Sequence, residues 1–402
     1  MDVHSFGVEP ISCHAWNENR TEVALCPNST DVQLYKREAN GGWSLGQTLS
    51  RHDLRVTSID WAPQSNRIVT CAADRNAYVW TLGSEEPGTN ATVWTPTLVL
   101  LRINRAATCV RWSPSENKFA VGSGAKLVSV CYFEEDHNWW VSKHIKKPIK
   151  STVTSVDWHP NNCLLACGST DFRTRVFSAY IKEVDSAPEP TPWGDKTASF
   201  GSLVAELSAS GIGWVHSVCF SGDGTRLAWV GHDSSICVAD AQQGQAITFV
   251  RTRYLPFLSC LWISPTRLLV SGYDCCPMVY EYSKDQITFV DKLDKSQRKE
   301  VDGVSDNVVA SGSGQHSSPD DDPEVISPAA AMRKFLNMDK HAMESRGDTL
   351  LDTAHQNAIT LVTLVQGKRD NASRVCSQGM DGRLILWDIK TLQSSMAGMR
   401  IV

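Results

Sequence analysis

The octapeptide Val56-Thr-Ser-Ile-Asp-Trp-Ala-Pro63 returns twice with small changes, as Ala107-Thr-Cys-Val-Arg-Trp-Ser-Pro114 and as Val153-Thr-Ser-Val-Asp-Trp-His-Pro160. Each copy is a short apolar strand that ends in tryptophan, followed by a polar-proline turn. Weaker copies of the strand occur at 11–16, 215–220, 258–262 and 359–364. The chain therefore contains seven related units, and repetition of this kind indicates similar pieces of structure placed side by side.

A second half follows each copy: another strand, an aspartate in a tight turn, and a third strand that ends near an aromatic residue. The second unit shows this most clearly, because the strand from Arg67 leads to Asp74 and then to Trp80. Strands this short cannot bury both faces alone, and radial repetition solves that problem. We therefore predict an all-β fold, a seven-bladed WD40 β-propeller that spans residues 1–402 as a single domain. The other units carry Asp31 and Tyr35, Gly122-Ser-Gly124 and Tyr132, Asp171 and Phe177, Asp233 and Asp240, Asp274 and Tyr280, and Asp381 and Trp387.

The composition bounds the class of protein. The 402 residues are 42% apolar, and the net charge of −5 argues against a surface built as a whole for nucleic acid. No run of 18 apolar residues is present, so no membrane span is expected, and no secretory signal is visible at the start. The thirteen cysteines lie in apolar segments, as reduced core cysteines do, without the spacing of a zinc site. We expect no catalytic, cofactor or metal site.

Two units each carry a polar tetrad of a histidine, a hydroxyl residue, an aspartate and a tryptophan. The same residue types build catalytic triads. Their recurrence in separate units, with one spacing from the hydroxyl residue to the aspartate and the tryptophan, instead favours a structural hydrogen-bond network that stiffens each blade. The predicted tetrads are His52, Thr70, Asp74 and Trp80 in blade two, and His355, Ser377, Asp381 and Trp387 in blade seven.

Two insertions interrupt the repeat. Residues 181–213 contain three prolines and are expected to form a surface connection between blades four and five. Residues 291–355 separate blades six and seven. Their first part, 296–327, is polar and acidic and is expected to be disordered, whereas 328–346 has the start signal and spacing of an amphipathic helix. That helical arm either packs on its own propeller or docks into a partner. Its apolar face consists of Met332, Phe335, Leu336 and Met343.

A basic segment follows two adjacent tryptophans in blade three. A charge run is often only a solvated face, but lysines beside aromatic residues also suit an acidic partner that carries an apolar anchor. Nucleic acid is not expected, because no nucleic-acid module accompanies the segment. The candidate partner-binding residues are Trp139, Trp140, Lys143, Lys146, Lys147 and Lys150, with Arg102 and Arg105 nearby in sequence.

Several stretches are more specific than the general repeat. They are EPISCHAWN at 9–17, CAADRNAYVW at 71–80, the run from Leu101 to Asn162, VFSAYIKEVD and TPWG within 176–194, YDCCPM at 273–278, FLNMDK at 335–340 and GMRIV at 398–402. They closely resemble the WD-repeat subunit, subunit 1, of the actin-related protein 2/3 complex, and the resemblance covers nearly the whole chain.

The resemblance implies a structural subunit of a seven-subunit assembly that nucleates a new actin filament from the side of an existing one. It implies that the arm at 328–346 contacts actin or activators, and that the segment at 143–150 receives the acidic tails of Wiskott–Aldrich syndrome family activators. Actin-related protein 2, subunits 4 and 5 and the actin filament are the expected partners. The expected location is the cytoplasm and cytoskeleton, at the actin-rich cortex and projections, with the nucleus as a second location.

Two other classes stay open on the residues alone. A free WD-repeat adaptor that recruits clients to another multiprotein complex would purify as a stable monomer, whereas a subunit of the seven-chain assembly should co-purify with six partners. An enzyme would use the propeller as a catalytic frame, and no constellation outside the tetrads supports that hypothesis.

Overall fold

The computed structural model describes residues 1–84, 92–194, 199–209, 211, 213–295 and 351–389. In these ranges the chain forms seven antiparallel sheets of four strands each. The first strands of successive blades contact each other, which places them around the centre of a ring. The predicted seven-bladed β-propeller is therefore confirmed.

The strand bounds follow the repeat. In chain order they are β1 (Asp2–Ser5), β2 (Cys13–Trp16), β3 (Glu22–Cys26), β4 (Asp31–Arg37), β5 (Trp43–Ser50), β6 (Val56–Ala62), β7 (Arg67–Ala72), β8 (Ala77–Ser84), β9 (Thr92–Val99), β10 (Ala107–Trp112), β11 (Lys118–Ser123), β12 (Leu127–Glu134), β13 (Trp139–Ile145), β14 (Val153–Trp158), β15 (Leu164–Ser169), β16 (Thr174–Ser178), β17 (Leu203–Leu207), β18 (Val215–Phe220), β19 (Arg226–Gly231), β20 (Ser235–Asp240), β21 (Ala246–Arg251), β22 (Phe257–Trp262), β23 (Arg267–Gly272), β24 (Met278–Ser283), β25 (Gln286–Lys292), β26 (Ile359–Lys368), β27 (Asn371–Gly379) and β28 (Arg383–Asp388). Blades one to six are β2–β5, β6–β9, β10–β13, β14–β17, β18–β21 and β22–β25, and blade seven is β26–β28 with β1.

The N-terminal strand closes the ring. β1 pairs antiparallel with β28, so the two ends of the repeat share blade seven. His14 in blade one adds a polar link across the same junction. Its Nδ1 lies 2.6 Å from Oε1 of Gln378, and its Nε2 lies 3.0 Å from the hydroxyl of Thr363. Pairing of the two ends of the repeat in one sheet therefore joins the first and last blades.

The core lies mainly between adjacent blades. One buried cluster joins blades one and two and includes Leu34, Val56 and Trp80, and the next clusters continue around the ring in the same way. Trp61 packs edge to face on Trp94, with ring centroids 5.5 Å apart. Each blade therefore depends on its neighbours for burial of its apolar faces, as expected of a radial repeat.

A short 3-10 turn forms at Ala241–Gln243, directly after β20. Asp240 caps it, since its carboxylate accepts a hydrogen bond from the backbone N–H of Gln242. No helix among the described residues has the length and apolar character needed to cross a membrane. The predicted arm helix at 328–346 and the acidic part at 296–327 lie outside the described residues.

The predicted surface connection at 181–213 is partly wrong. Residues 203–207 form β17, the outermost strand of blade four. The side chain of Trp193 is buried and its indole N–H donates a hydrogen bond to the carbonyl of Gly224 at 2.7 Å. The prolines of this segment suggested an irregular surface loop, but proline is compatible with a connection that runs back to an edge strand.

A buried ion pair fixes the start of this segment. Lys118 has no solvent-accessible surface, and its ammonium group contacts the carboxylate of Asp185 and the carbonyl of Ala179. The other oxygen of Asp185 accepts hydrogen bonds from the amides of Asn117 and Asn162. A buried charge needs such complete pairing, so residues 179–185 are bound firmly to blades three and four.

Blade seven also reaches across the ring. Its long β26–β27 hairpin carries Arg369, whose guanidinium makes two hydrogen bonds to the carboxylate of Asp157 in blade four, at 2.6 and 2.8 Å. The same guanidinium donates to the carbonyl of Phe220 in blade five at 3.0 Å. The backbone N–H of Phe220 also donates a hydrogen bond to the carboxylate of Asp157, at 2.7 Å. This contact connects blade seven with blades four and five.

Candidate binding surface

In each sheet, the loops that lead from one blade to the next lie at the same end as the turns between the second and third strands, because neighbouring strands are antiparallel. We call this end of the ring the connection face. It includes the blade-to-blade loops at 51–55, 100–106 and 146–152, and the turns at 73–76, 124–126 and 170–173.

The blade-two tetrad begins at this face, where His52 lies in a blade-to-blade loop and Asp74 in a turn. The Nδ1 of His52 lies 2.8 Å from the carboxylate of Asp74, and its Nε2 lies 2.9 Å from the hydroxyl of Thr70. The indole N–H of Trp80 donates to the same hydroxyl at 3.0 Å. Burial opposes ionisation of Asp74, but the hydrogen bonds from His52 and from backbone N–H groups outweigh it and hold the pKa of Asp74 below its usual value.

The blade-seven tetrad has the same arrangement. His355 places Nδ1 3.1 Å from the carboxylate of Asp381 and Nε2 2.7 Å from the hydroxyl of Ser377, which also accepts from Trp387 at 2.7 Å. The hydroxyl residues Thr70 and Ser377 have no solvent-accessible surface. A nucleophile must reach its substrate, so this burial favours the structural interpretation of both tetrads.

The basic residues of blade three meet in a shallow open groove of about 520 Å³ on the connection face. We call it the basic groove. Arg102, from the loop before blade three, faces Lys143 and Lys146, from the end of that blade's outer strand and the loop after it. The full lining is Arg102, Ser142, Lys143, His144, Lys146 and Phe200.

Two hydrogen bonds hold the groove's walls together. The imidazole of His144 donates from Nε2 to the carbonyl of Leu101 at 2.8 Å, and the guanidinium of Arg102 donates to the carbonyl of Ser142. Arg102 adopts a backbone φ of 53°, in the left-handed region that non-glycine residues rarely occupy. The loop before blade three is therefore fixed against β13, and the cationic side chain of Arg102 is held at the groove.

The lysines differ in how strongly they are already engaged. The ammonium of Lys143 lies 3.4 Å from the carboxylate of Glu183 and 5.2 Å from the centre of the Tyr132 ring. The side chains of Lys146, Lys147 and Lys150 are exposed. Lys146 and Lys147 make no ion pair within the described part of the chain, so they offer the most accessible positive charge.

The structure does not bring the tryptophans to these lysines. Trp140 is only 4% exposed and packs on Phe119, with ring centroids 5.2 Å apart. The prediction that Trp140 contacts a partner is therefore corrected: its side chain belongs to the core. Successive side chains of a strand point to opposite faces, so the two adjacent tryptophans lie on different faces of β13. Trp139 is 47% exposed, but it lies at the opposite end of β13 from Lys146, roughly 20 Å away along the strand.

The aromatic side chain at the groove is Phe200, which the sequence analysis missed. It comes from the connection before β17 and packs partly against the core between blades three and four. Arg105 is exposed in the same loop as Arg102 but lies beside Gly124, outside the groove lining. The structure also shows further exposed cations in the loops and turns of blades two to four on the connection face. A sequence analysis that placed the loops of all units on one face of the ring would have found them: Arg51, Arg55, Arg75, Lys126 and Arg173.

Comparisons with known proteins agree with this architecture. Residues 43–81 and 141–178 match the family described as WD domain, G-beta repeat. The chain is 50% identical to actin-related protein 2/3 complex subunit 1A-A of Xenopus laevis over 404 residues, covering all of both chains. It is 42% identical to actin-related protein 2/3 complex subunit 1 of Schizosaccharomyces pombe, covering 95% of this chain and 97% of the relative. It is 40% identical to subunit 1B of Arabidopsis thaliana, over 98% of each chain. The chain belongs to the subunit 1 family of the actin-related protein 2/3 complex.

Proposed function

We propose that the chain is a non-catalytic structural subunit of an actin-related protein 2/3 complex and supports the nucleation of branched actin filaments. The observation that carries this proposal is that the chain resembles subunit 1 of such complexes over nearly its whole length, through all seven blades. Its partners would be the other subunits, among them actin-related protein 2 and subunits 4 and 5, and the actin filament. Its location would be the cytoplasmic cytoskeleton, at the actin-rich cortex and projections, and also the nucleus.

Within that role, the basic groove would receive the acidic tail of a Wiskott–Aldrich syndrome family activator. Three cationic side chains converge there around Phe200, a combination that suits a carboxylate-rich segment with one large apolar side chain. Further exposed cations extend the positive surface across blades two to four. Such a surface accelerates encounter with an acidic chain and weakens in salt.

Reversing two charges tests this use of the groove. The double variant Lys146→Glu/Lys147→Glu should bind an acidic activator-tail peptide about tenfold more weakly at low salt, because each exposed pair is worth about 0.2–1 kcal/mol and reversal adds repulsion. Affinity is measured by fluorescence anisotropy of a labelled peptide at two ionic strengths.

The matched control is Lys36→Glu/Lys284→Glu, which changes the net charge equally. Lys36 lies near the end of β4 and Lys284 in the turn between β24 and β25, both away from the connection face. The control should retain most of the wild-type affinity. Equal affinities for the two double variants would show that the groove does not receive the tail.

A further inference from the structure

Blade five departs from the repeat at two positions that meet in space. In blades two, three, four and seven the bulge of the innermost strand carries a threonine: Thr57, Thr108, Thr154 and Thr360. The hydroxyls of Thr57 and Thr154 donate to backbone carbonyls of their own blades, each at 3.1 Å. In blade five the corresponding bulge, between Val215 and Ser217, carries His216.

The second departure is His232. It precedes the turn aspartate Asp233, a position that Ala73 and Thr170 occupy in blades two and four. The Nε2 of His216 lies 3.0 Å from the Nδ1 of His232, so two ring nitrogens face each other on the connection face. The indole of Trp214, itself 48% exposed, lies against His232 with ring centroids 5.4 Å apart and an interplanar angle of 32°.

We propose that His216 and His232 form a two-histidine site for a first-row divalent metal ion of the Cu²⁺ or Zn²⁺ type. Imidazole nitrogens are preferred ligands of these ions. A nitrogen ligand lies about 2.0–2.1 Å from such an ion. Two such nitrogens are about 2.9 Å apart when the N–metal–N angle is a right angle, and about 3.3 Å apart when it is tetrahedral. The observed separation of 3.0 Å lies within this range, so the two nitrogens already lie at the distance that one shared ion requires.

The two rings share one hydrogen across their contact. In the hydrogen bond between the two rings, one of the facing nitrogens carries the hydrogen and the other carries a lone pair. Metal binding requires that hydrogen to move to the far nitrogen of its own ring, with no net release of a proton.

The surrounding groups leave the other coordination positions to water. The carboxylate of Asp233 is already bonded to the hydroxyl of Ser235 at 2.7 Å and to the guanidinium of Arg251 at 2.8 Å. No group of three candidate ligands occurs among the described residues. His232 is exposed, so an ion held here has open positions toward solvent. The adjacent indole of Trp214 restricts the orientation of His232, as outer groups do for metal-bound histidines.

Titration of the untagged full chain with Cu²⁺ tests the proposal. At pH 7.5 the wild type should bind one equivalent of Cu²⁺ whose electron paramagnetic resonance spectrum shows nitrogen coordination. Zn²⁺ should compete more weakly, following the general order of metal affinities. His232→Gln and His216→Gln should each bind that equivalent at least tenfold more weakly.

The matched control is His137→Gln. His137 is an exposed histidine near Glu134 in the turn between β12 and β13, and no second histidine of the described residues is paired with it. This variant should bind Cu²⁺ as the wild type does. Because His232 is exposed, His232→Gln decides the matter even if His216→Gln unfolds. Wild-type affinity in His232→Gln, or no nitrogen-coordinated equivalent in the wild type, would overturn the proposal.

Discussion

Replacing Arg369 by methionine should lower the free energy of unfolding by about 3 kcal/mol. Loss of one partner from a buried ion pair costs about 3–5 kcal/mol, and the low end applies here because a third of the Arg369 side chain reaches solvent. The variant leaves the carboxylate of Asp157 buried without the two hydrogen bonds from the guanidinium. It also removes the cross-ring contact to the carbonyl of Phe220. Denaturant unfolding, followed by tryptophan fluorescence, measures the change.

Two further variants distinguish the effect of breaking the ion pair from the effect of merely losing an arginine. Arg173→Met removes an exposed arginine and should change the stability by less than about 0.5 kcal/mol. Asp157→Asn/Arg369→Met removes both charges and should recover part of the loss, because no unpaired carboxylate remains. If Arg369→Met were as stable as Arg173→Met, the cross-ring tie would have no energetic importance.

Removing the predicted arm helix at 328–346 should reduce branched nucleation by at least about tenfold, because docking of such a helix into a partner would contribute about 2–4 kcal/mol at its central residues. The propeller should keep its stability. β25 ends at Lys292 and β26 begins at Ile359, so the connection remains long enough to join the two blades. The shorter loop changes the closure entropy by only about 0.3 kcal/mol. Branch density, counted on single filaments with the reconstituted complex, measures the effect.

The control for the arm is a deletion of equal length, 300–318, in the polar part of the same insertion. It shortens the connection equally but keeps Met332, Phe335, Leu336 and Met343. Branching should then remain near the wild-type level. Equal branching by the two deletion variants would mean that the arm contributes nothing specific.

The blades could be predicted because each carries its own local signal. The alternation of apolar and polar residues in segments such as 56–61 and 153–158 predicts strands, and the turn aspartates predict where one strand ends and the next begins. Both signals are local, because they depend on residues only a few positions apart. β17 escaped prediction because its apolar pattern is short and follows a proline-rich run. β1 escaped because its partner strand, β28, lies almost the full chain length away.

The candidate site was harder to predict than the fold. The groove draws Arg102, Lys143 and Phe200 from three separate segments, and no local pattern links them. Trp140 was misread because the sequence shows two adjacent aromatic residues but not which face of β13 each occupies. The tie between Arg369 and Asp157 joins residues 212 positions apart, and only the ring geometry brings them together.

Affinity purification of the tagged chain from cells under mild conditions, followed by identification and quantification of the co-eluting chains, most directly tests membership of the complex. We expect actin-related protein 2, subunits 4 and 5 and the remaining subunits at equal stoichiometry with the chain, in one peak on size-exclusion chromatography. A chain that elutes alone as a stable monomer, or with a different set of partners, would contradict the proposed function.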